Sequence, residues 1–185
     1  MQKGRYREFN QFGVEVFGAP GPSADVEIIS MVDILFKRLG LKGIALNINS
    51  IGCPVCRKEY NRKLREFFMP LLGNLCVNCT TRFERNPLRI LDCKDEKCKQ
   101  YVKDAPALLD NLCDACKTHF ESLRARLDNL EINYNVDKNI VRGLDYYNRT
   151  VFEFISPNVG TQATICGGGR YDGLVEMFGG PSVPG

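Results

Sequence analysis

The chain has 185 residues, enough to bury a core, and its 44% hydrophobic and 25% charged content is that of an ordinary soluble globular domain. No apolar run reaches the roughly 18 residues of a membrane helix and no signal-peptide pattern is visible, so a cytoplasmic chain is the expectation. A net charge of +3 excludes nothing by itself; its distribution says more, because residues 53–130 carry 15 Lys/Arg against 11 Asp/Glu.

In chain order, "RYREFNQFGVEVFG" alternates and is rich in Phe, Tyr and Val, which predicts a strand over Arg5–Phe17. "GAPGPSADVE" is a turn and a helix start, with Ser23 placed to cap and Asp25 in the first turn. Ile28, Ile29, Val32, Leu35, Phe36 and Leu39 recur at helical spacing until Gly40 stops them. A strand follows over Ile44–Ser50. From Cys53 the pattern becomes helical: Pro54 suits a first helical position, and Tyr60, Leu64, Phe67, Phe68 and Leu71 make one apolar stripe. Arg57, Lys58, Arg62, Lys63 and Arg65 occupy the other face. A last helix is expected from about Cys116 to Leu130, with Phe120, Leu123, Leu127 and Leu130 inward. Strands resume at "INYNVD", "TVFEFIS" and "TQATIC", then a glycine-rich turn "GGGRYDG" leads into a short helix. The organisation is an α+β sheet domain with about five strands and two helices of its own, interrupted by a helical insertion.

Eight of the nine cysteines fall between Cys53 and Cys116 as four pairs, "CPVC", "CVNC", "CKDEKC" and "CDAC". With no secretory signal, metal ligation explains them better than disulfides, and eight thiols suit two tetrahedral zinc sites. Free thiols beside a self-sufficient apolar stripe are the alternative. A helix over Val55–Leu71 is about 25 Å long, so its two ends cannot easily share one metal. The expected grouping is Cys53 and Cys56 with Cys93 and Cys98, and Cys76 and Cys79 with Cys113 and Cys116. Cys166 reads as a small core residue, and His119, the only histidine, as a helix-surface residue near the metal region.

Three stretches occur in order, "GRYREFNQFGVEVFG", "RGLDYYNRTVFEF" and "CGGGRYDGLVEMFGG", with "NPLRILDCK" and "DAPALLDNL" in the insertion between the first two. Together they resemble the histidyl-tRNA synthetase family, along essentially the whole chain. The resemblance implies an antiparallel class II synthetase sheet with flanking helices and a cysteine-rich helical insertion. The expected units are 1–52 and 131–185 for the catalytic core and 53–130 for the insertion. It implies ATP-dependent activation of L-histidine to an adenylate, then transfer to tRNA-His, with Mg²⁺ assisting.

Residue by residue, the resemblance puts Gln11 on the amino group of histidine and Glu15 on an imidazole N–H, a group that a carboxylate is suited to accept from. Tyr147 makes the opposite contact, with Tyr146 beside it, and Tyr171 lines the same pocket. Arg142 contacts the ATP α-phosphate and stabilises the transition state, while Arg5, Tyr6 and Phe9 lie near ATP. Read without the resemblance, Tyr146 and Tyr171 fit half-buried aromatics equally well, Phe9 a core residue, Glu15 an exposed carboxylate and Arg142 a surface turn residue. The family builds its insertion elsewhere without such cysteines, so zinc at Cys53, Cys56, Cys76, Cys79, Cys93, Cys98, Cys113 and Cys116 would be structural. The basic face of Arg57, Arg62, Lys63 and Arg65 would either meet the tRNA acceptor stem or remain a solvated helix face.

Set against the family, the chain lacks the dimer-forming motif 1, the arginines of motifs 2 and 3, and an anticodon-binding domain. The expectation is therefore a central catalytic fragment, inactive alone, of a homodimeric parent. Two rivals remain open from the sequence: a non-catalytic paralogue that regulates histidine biosynthesis, and a zinc-ribbon nucleic-acid module.

Overall fold

A computed structural model describes residues 7–140, 146–158 and 164–185. The elements are α1 (Pro22–Arg38), β1 (Ala45–Ser50), α2 (Pro54–Phe68), α3 (Val77–Arg85), α4 (Glu96–Val102), α5 (Asp114–Asn129), β2 (Asn135–Val136), β3 (Asn148–Ile155), β4 (Thr164–Arg170) and α6 (Leu174–Met177). Short 3₁₀ turns at Met69–Asn74, Pro87–Ile90 and Leu108–Asn111 link the insertion helices.

The sheet order is β2-β1-β3-β4. β3 runs antiparallel to both β1 and β4, with Ile48 opposite Phe152 and Phe154 opposite Cys166. The two-residue β2 pairs parallel to β1, an exception to the antiparallel expectation. Strand alternation sorts the side chains onto two faces. Leu46, Ile48, Phe152 and Phe154 join Val26 and Ile29 of α1 and Phe120, Leu123 and Leu127 of α5 in one core. Phe36 of α1 meets Phe154 edge-on at 5.4 Å. A second core collects Tyr60, Leu64 and Phe68 of α2 with Phe83, Ile90, Cys98 and Leu108, and it reaches the sheet through Ile51, Tyr147 and Val151. The insertion is thus packed onto the strand ends and does not hang free of them. The fully buried Tyr60 donates to the Pro106 carbonyl at 2.7 Å, which satisfies its hydroxyl inside that core.

Several expectations change. Described residues 7–17 form no strand, and Phe9, Phe12, Val14 and Phe17 are more than half exposed or close to it. Their alternation is genuine, but a strand requires a hydrogen-bonding partner, and none of the described strands pairs with them. Four strands, not five, form the described sheet. Ser23 does not cap α1; Gly21 occupies that position and Pro22, with its fixed φ, begins the helix. α1 does end where Gly40 turns left-handed, at φ +71°. Gly167–Arg170 belong to β4 and are not a turn, because they pair with β3 from Asn148 to Glu153. α5 stops at Asn129, Glu131 takes φ +55°, and the chain reversal leaves Leu130 54% exposed while Ile132 enters the core instead. α5 also packs along α1 and β3, so the last helix of the cysteine-rich stretch lines the sheet.

Candidate active site and metal centres

Tyr146, Tyr147 and Tyr171 form an aromatic platform at the joined ends of β3 and β4. Their ring centroids lie 4.8 Å (146–147), 5.9 Å (146–171) and 6.3 Å (147–171) apart, and Phe17 meets Tyr171 edge-on at 6.1 Å. Beside it is a cavity of about 340 Å³ lined by Glu15, Phe17, Tyr171, Leu174, Val175, Phe178 and Gly180. Burial, and then the nearby charge of Glu15, push the Tyr171 phenol up to about 12, so it remains a hydrogen-bond donor at neutral pH. Its hydroxyl is shielded from solvent; Glu15 is near enough to bias its ionisation, but no described residue sits at ordinary hydrogen-bonding distance. A buried donor without a partner costs about 1–3 kcal/mol, and a ligand acceptor entering the cavity would recover it. A carboxylate and a phenol on apolar walls suit a small polar ring with N–H groups.

The structure brings Glu15, Tyr146, Tyr147 and Tyr171 together. Gln11 is exposed, and Phe9 is 68% exposed, so neither is drawn into this group. Arg5, Tyr6 and Arg142 lie outside the described residues.

Directly behind Tyr171 is a buried polar hub that sequence reasoning missed. Arg170 Nε donates to Asp25 Oδ1 at 2.8 Å, and its other nitrogens donate to Asp172 Oδ1 (2.7 Å) and to the Ala19 and Gly21 carbonyls (2.7 and 3.0 Å). Asp25 Oδ2 accepts from Thr150 Oγ1 at 2.5 Å and lies 2.7 Å from His119 Nε2. A carboxylate can only accept, so His119 carries its proton on Nε2. The hub ties α1, α5, β3 and β4 into one frame under the platform. His119 is therefore 7% exposed and not on the surface. The spacing of Cys116, His119, Phe120, Leu123 and Leu127, all buried on α5, carried that information.

The eight cysteines form two groups, Cys53/Cys56/Cys113/Cys116 and Cys76/Cys79/Cys93/Cys98, with the sulfurs of each within 4.8 Å of one another. The ends of α2 do belong to separate centres, as its length requires. The expected partners, however, are exchanged. α3 and the turn after it return the chain so that Cys93 and Cys98 stay beside Cys76 and Cys79, while α5 starts against the N-terminus of α2. In each centre a cysteine is the N-cap of a helix, Cys53 for α2, Cys113 for α5 and Cys76 for α3, and a second sits one turn in.

These donor sets fit a metal ion. Sulfur separations are 3.5 Å (Cys53–Cys56), 3.8 Å (Cys53–Cys113), 3.7 Å (Cys56–Cys116) and 3.8 Å (Cys76–Cys93). They are far too long for disulfides, and none of these eight cysteines is in a disulfide. A tetrahedral zinc with bonds of about 2.3 Å spaces its sulfurs about 3.8 Å apart. Burial resists ionisation of Cys53, but hydrogen bonds from Cys56 and Val55 hold it down to about 7. Burial and the crowding of neighbouring thiols push Cys79 and Cys116 up. Four sulfur donors at tetrahedral spacing suit a soft metal ion, zinc or iron among them.

The basic face of α2 is largely committed within the chain. Arg62 pairs with Glu59 at 2.6 Å and with Glu66, Lys63 donates to Asn111, and Arg65 donates to the Glu84 carbonyl while lying over the Phe83 ring. No described helix is long and apolar enough to cross a membrane.

The sheet and its helices superpose on those of a solved aminoacyl-tRNA synthetase. The apo histidyl-tRNA synthetase of S. aureus superposes with a TM-score of 0.70 at 40% identity, over 91% of this chain and 41% of that one. The sequence model of the family described as histidyl-tRNA synthetase matches residues 1–54 and 85–184. The histidine–tRNA ligase of Acetivibrio thermocellus is 69% identical over all of this chain, and that of Thermoanaerobacter pseudethanolicus 58%. The chain belongs to the histidyl-tRNA synthetase family. It spans 44% of the length of both of these relatives. Residues 55–84, which carry all but one residue of each of α2 and α3, fall outside the family match.

Proposed function

We propose that the chain is the histidine-binding portion of a histidine–tRNA ligase. The observation that carries this is the Glu15–Tyr171 pair facing the cavity, with a buried phenol lacking a partner, in a chain of this family. Glu15 accepts an imidazole N–H, Tyr171 and Tyr147 donate or stack on the same ring with Tyr146 behind, and Gln11 closes on the amino group when substrate is bound. Arg142 sits on the α-phosphate of ATP, with Arg5, Tyr6 and Phe9 around the nucleotide and Mg²⁺ on the phosphates. The histidine carboxylate attacks the α-phosphorus and pyrophosphate leaves. A ribose hydroxyl of tRNA-His then attacks the adenylate carbonyl and AMP leaves. A fixed arginine neutralises charge as it shifts between these oxygens.

The core segments are 1–52 and 131–185. The insertion, 53–130, is held by two structural zinc ions on its eight cysteines, and its last helix also lines the core. Arg57, Arg62, Lys63 and Arg65 approach the acceptor-stem backbone, exchanging their internal partners for phosphates. The full-length ligase is a cytoplasmic homodimer, and this chain by itself is inactive.

In the full-length protein, Glu15→Gln should raise the KM for histidine in ATP–pyrophosphate exchange by about tenfold or more, since a hydrogen bond to a charged group is replaced by a neutral one. The KM for ATP should stay within about twofold. An unchanged histidine KM would remove Glu15 from the site.

A further inference from the structure

The two cysteine centres are not equivalent in what they hold. The first sits where three pieces of the core meet. Cys53 follows the end of β1 by three residues, and Cys113 and Cys116 begin α5, the helix along the sheet. Between β1 and Cys53, Ile51 N–H donates to the Arg149 carbonyl at 2.8 Å, and Arg149 N–H donates back to Gly52 at 2.9 Å. Gly52 has φ +64°, and a Cβ on it would lie 2.7 Å from Cys56 Sγ, so the backbone passes tightly against this centre. Arg149, although not glycine, is held at φ +49°. That is a left-handed conformation a side chain adopts only when its surroundings impose it. The β3–β4 register breaks just there, between Asn148 and Val151, and Tyr147 and Tyr146 are two and three residues upstream.

The second centre closes on itself. Cys76 N–H donates to Cys98 Sγ, and the amides of Cys79, Cys93 and Cys98 donate to Cys76, Ile90 and Asp95, all within the insertion. Cys79, Cys93 and Cys98 are buried in the second core, whose packing extends to Tyr147 and Val151, but the hydrogen bonds just named stay within the insertion.

We propose that the Cys53/Cys56/Cys113/Cys116 centre is a metal clamp that positions the tyrosine platform, coupling its occupancy to amino-acid binding, while the Cys76/Cys79/Cys93/Cys98 centre holds only the insertion. The metal would join the N-termini of α2 and α5 and fix Gly52, and through the paired hydrogen bonds hold Arg149 in the left-handed kink at the start of β3 that aims Tyr146 and Tyr147 at Tyr171. Its cysteines are positioning residues and touch no substrate. The proposal rests on the zinc and histidine readings above.

The test uses the full-length protein produced with zinc in the medium, then dialysed against a chelator. Zinc is counted by elemental analysis and histidine affinity is measured by calorimetry. Cys113→Ser and Cys76→Ser replace the half-buried cysteines, which disturb packing least. Each should lose one equivalent of zinc of the two in the parent. Cys113→Ser should weaken histidine binding by about tenfold or more, the scale expected when support behind a site is removed, and Cys76→Ser by less than about twofold. Cys113→His, which keeps a Cys₃His donor set, should regain both metal and affinity. Where Cys113→Ser does not yield folded protein, the histidine variant carries the comparison: full affinity with two zincs supports the clamp, and weak affinity with two zincs overturns it. Equal effects of the two serine variants, or loss of the first zinc with unchanged affinity, also overturns the coupling and leaves the ligase reading standing. A parent protein without zinc overturns the metal reading beneath it, and one with zinc that binds no histidine overturns the ligase reading.

Discussion

Asp25→Ala lowers the stability of the full-length protein by about 3–5 kcal/mol, read as a fall in the urea midpoint. The carboxylate is 8% exposed and receives hydrogen bonds from Arg170, His119 and Thr150, themselves 4%, 7% and 2% exposed. Removing it takes the buried carboxylate from Arg170, which keeps only the more exposed Asp172 and two carbonyls, and leaves His119 and Thr150 without their acceptor; breaking a buried charged network is among the most destabilising of single changes. Asp172→Ala is the contrast. It removes one other partner of Arg170, at a carboxylate whose side chain is 23% exposed, while Asp25 and two carbonyls remain, so its effect should stay near 1 kcal/mol or below. Comparable losses for the two variants would show that Asp25 is not the centre of the hub. Because Arg170 directly precedes Tyr171, residual folded Asp25→Ala protein should also bind histidine poorly.

Gly169→Ala has the second large effect, about 3 kcal/mol, by overpacking between paired strands. A Cβ there would lie 2.5 Å from the Thr150 carbonyl oxygen, 2.9 Å from Val151 Cγ1 and 3.1 Å from Tyr147 Cδ1. The first of these is backbone of the neighbouring strand, which cannot move without opening the β3–β4 ladder. The third pushes on the platform itself. Gly168→Ala meets the ring of Phe152 at 2.9 Å, a side chain and not the backbone of the paired strand, and should cost less. A Gly169→Ala protein as stable as the parent, with unchanged histidine affinity, would mean that β4 does not sit this close to β3.

The contrast between these glycines explains what the sequence made legible. "GGGR" reads as a turn because glycine usually marks one. Here three glycines lie in a strand, and at Gly168 and Gly169 the approach of Thr150, Val151 and Phe152 is too close for a side chain, a fact that belongs to the partner strand. The same holds for residues 7–17, whose alternation announces a strand while pairing, which sequence periodicity does not contain, is missing among the described residues. Helices were more legible because their hydrogen bonds are local. The Tyr60–Leu64–Phe68 stripe and the Gly40 stop appear as expected.

For the site, the motif order gave Glu15 and the three tyrosines, which the fold gathers. The Asp25 hub was hidden because His119, Thr150 and Arg170 lie 94 to 145 residues from Asp25 and each has an ordinary surface explanation. The metal centres show both sides of this. The spacing of the cysteines and the length of α2 correctly separated its two ends. Which pairs then met depended on the direction in which α3 and α5 return, and that is set by packing in the two cores.

The central claim is that this chain forms the histidine site of a ligase. The most direct measurement is ATP–pyrophosphate exchange by the purified full-length protein, run with each of the twenty amino acids separately. The account predicts exchange with histidine alone, abolished by Arg142→Ala. Exchange driven by another amino acid, or none with histidine while ATP and Mg²⁺ are saturating, would contradict it.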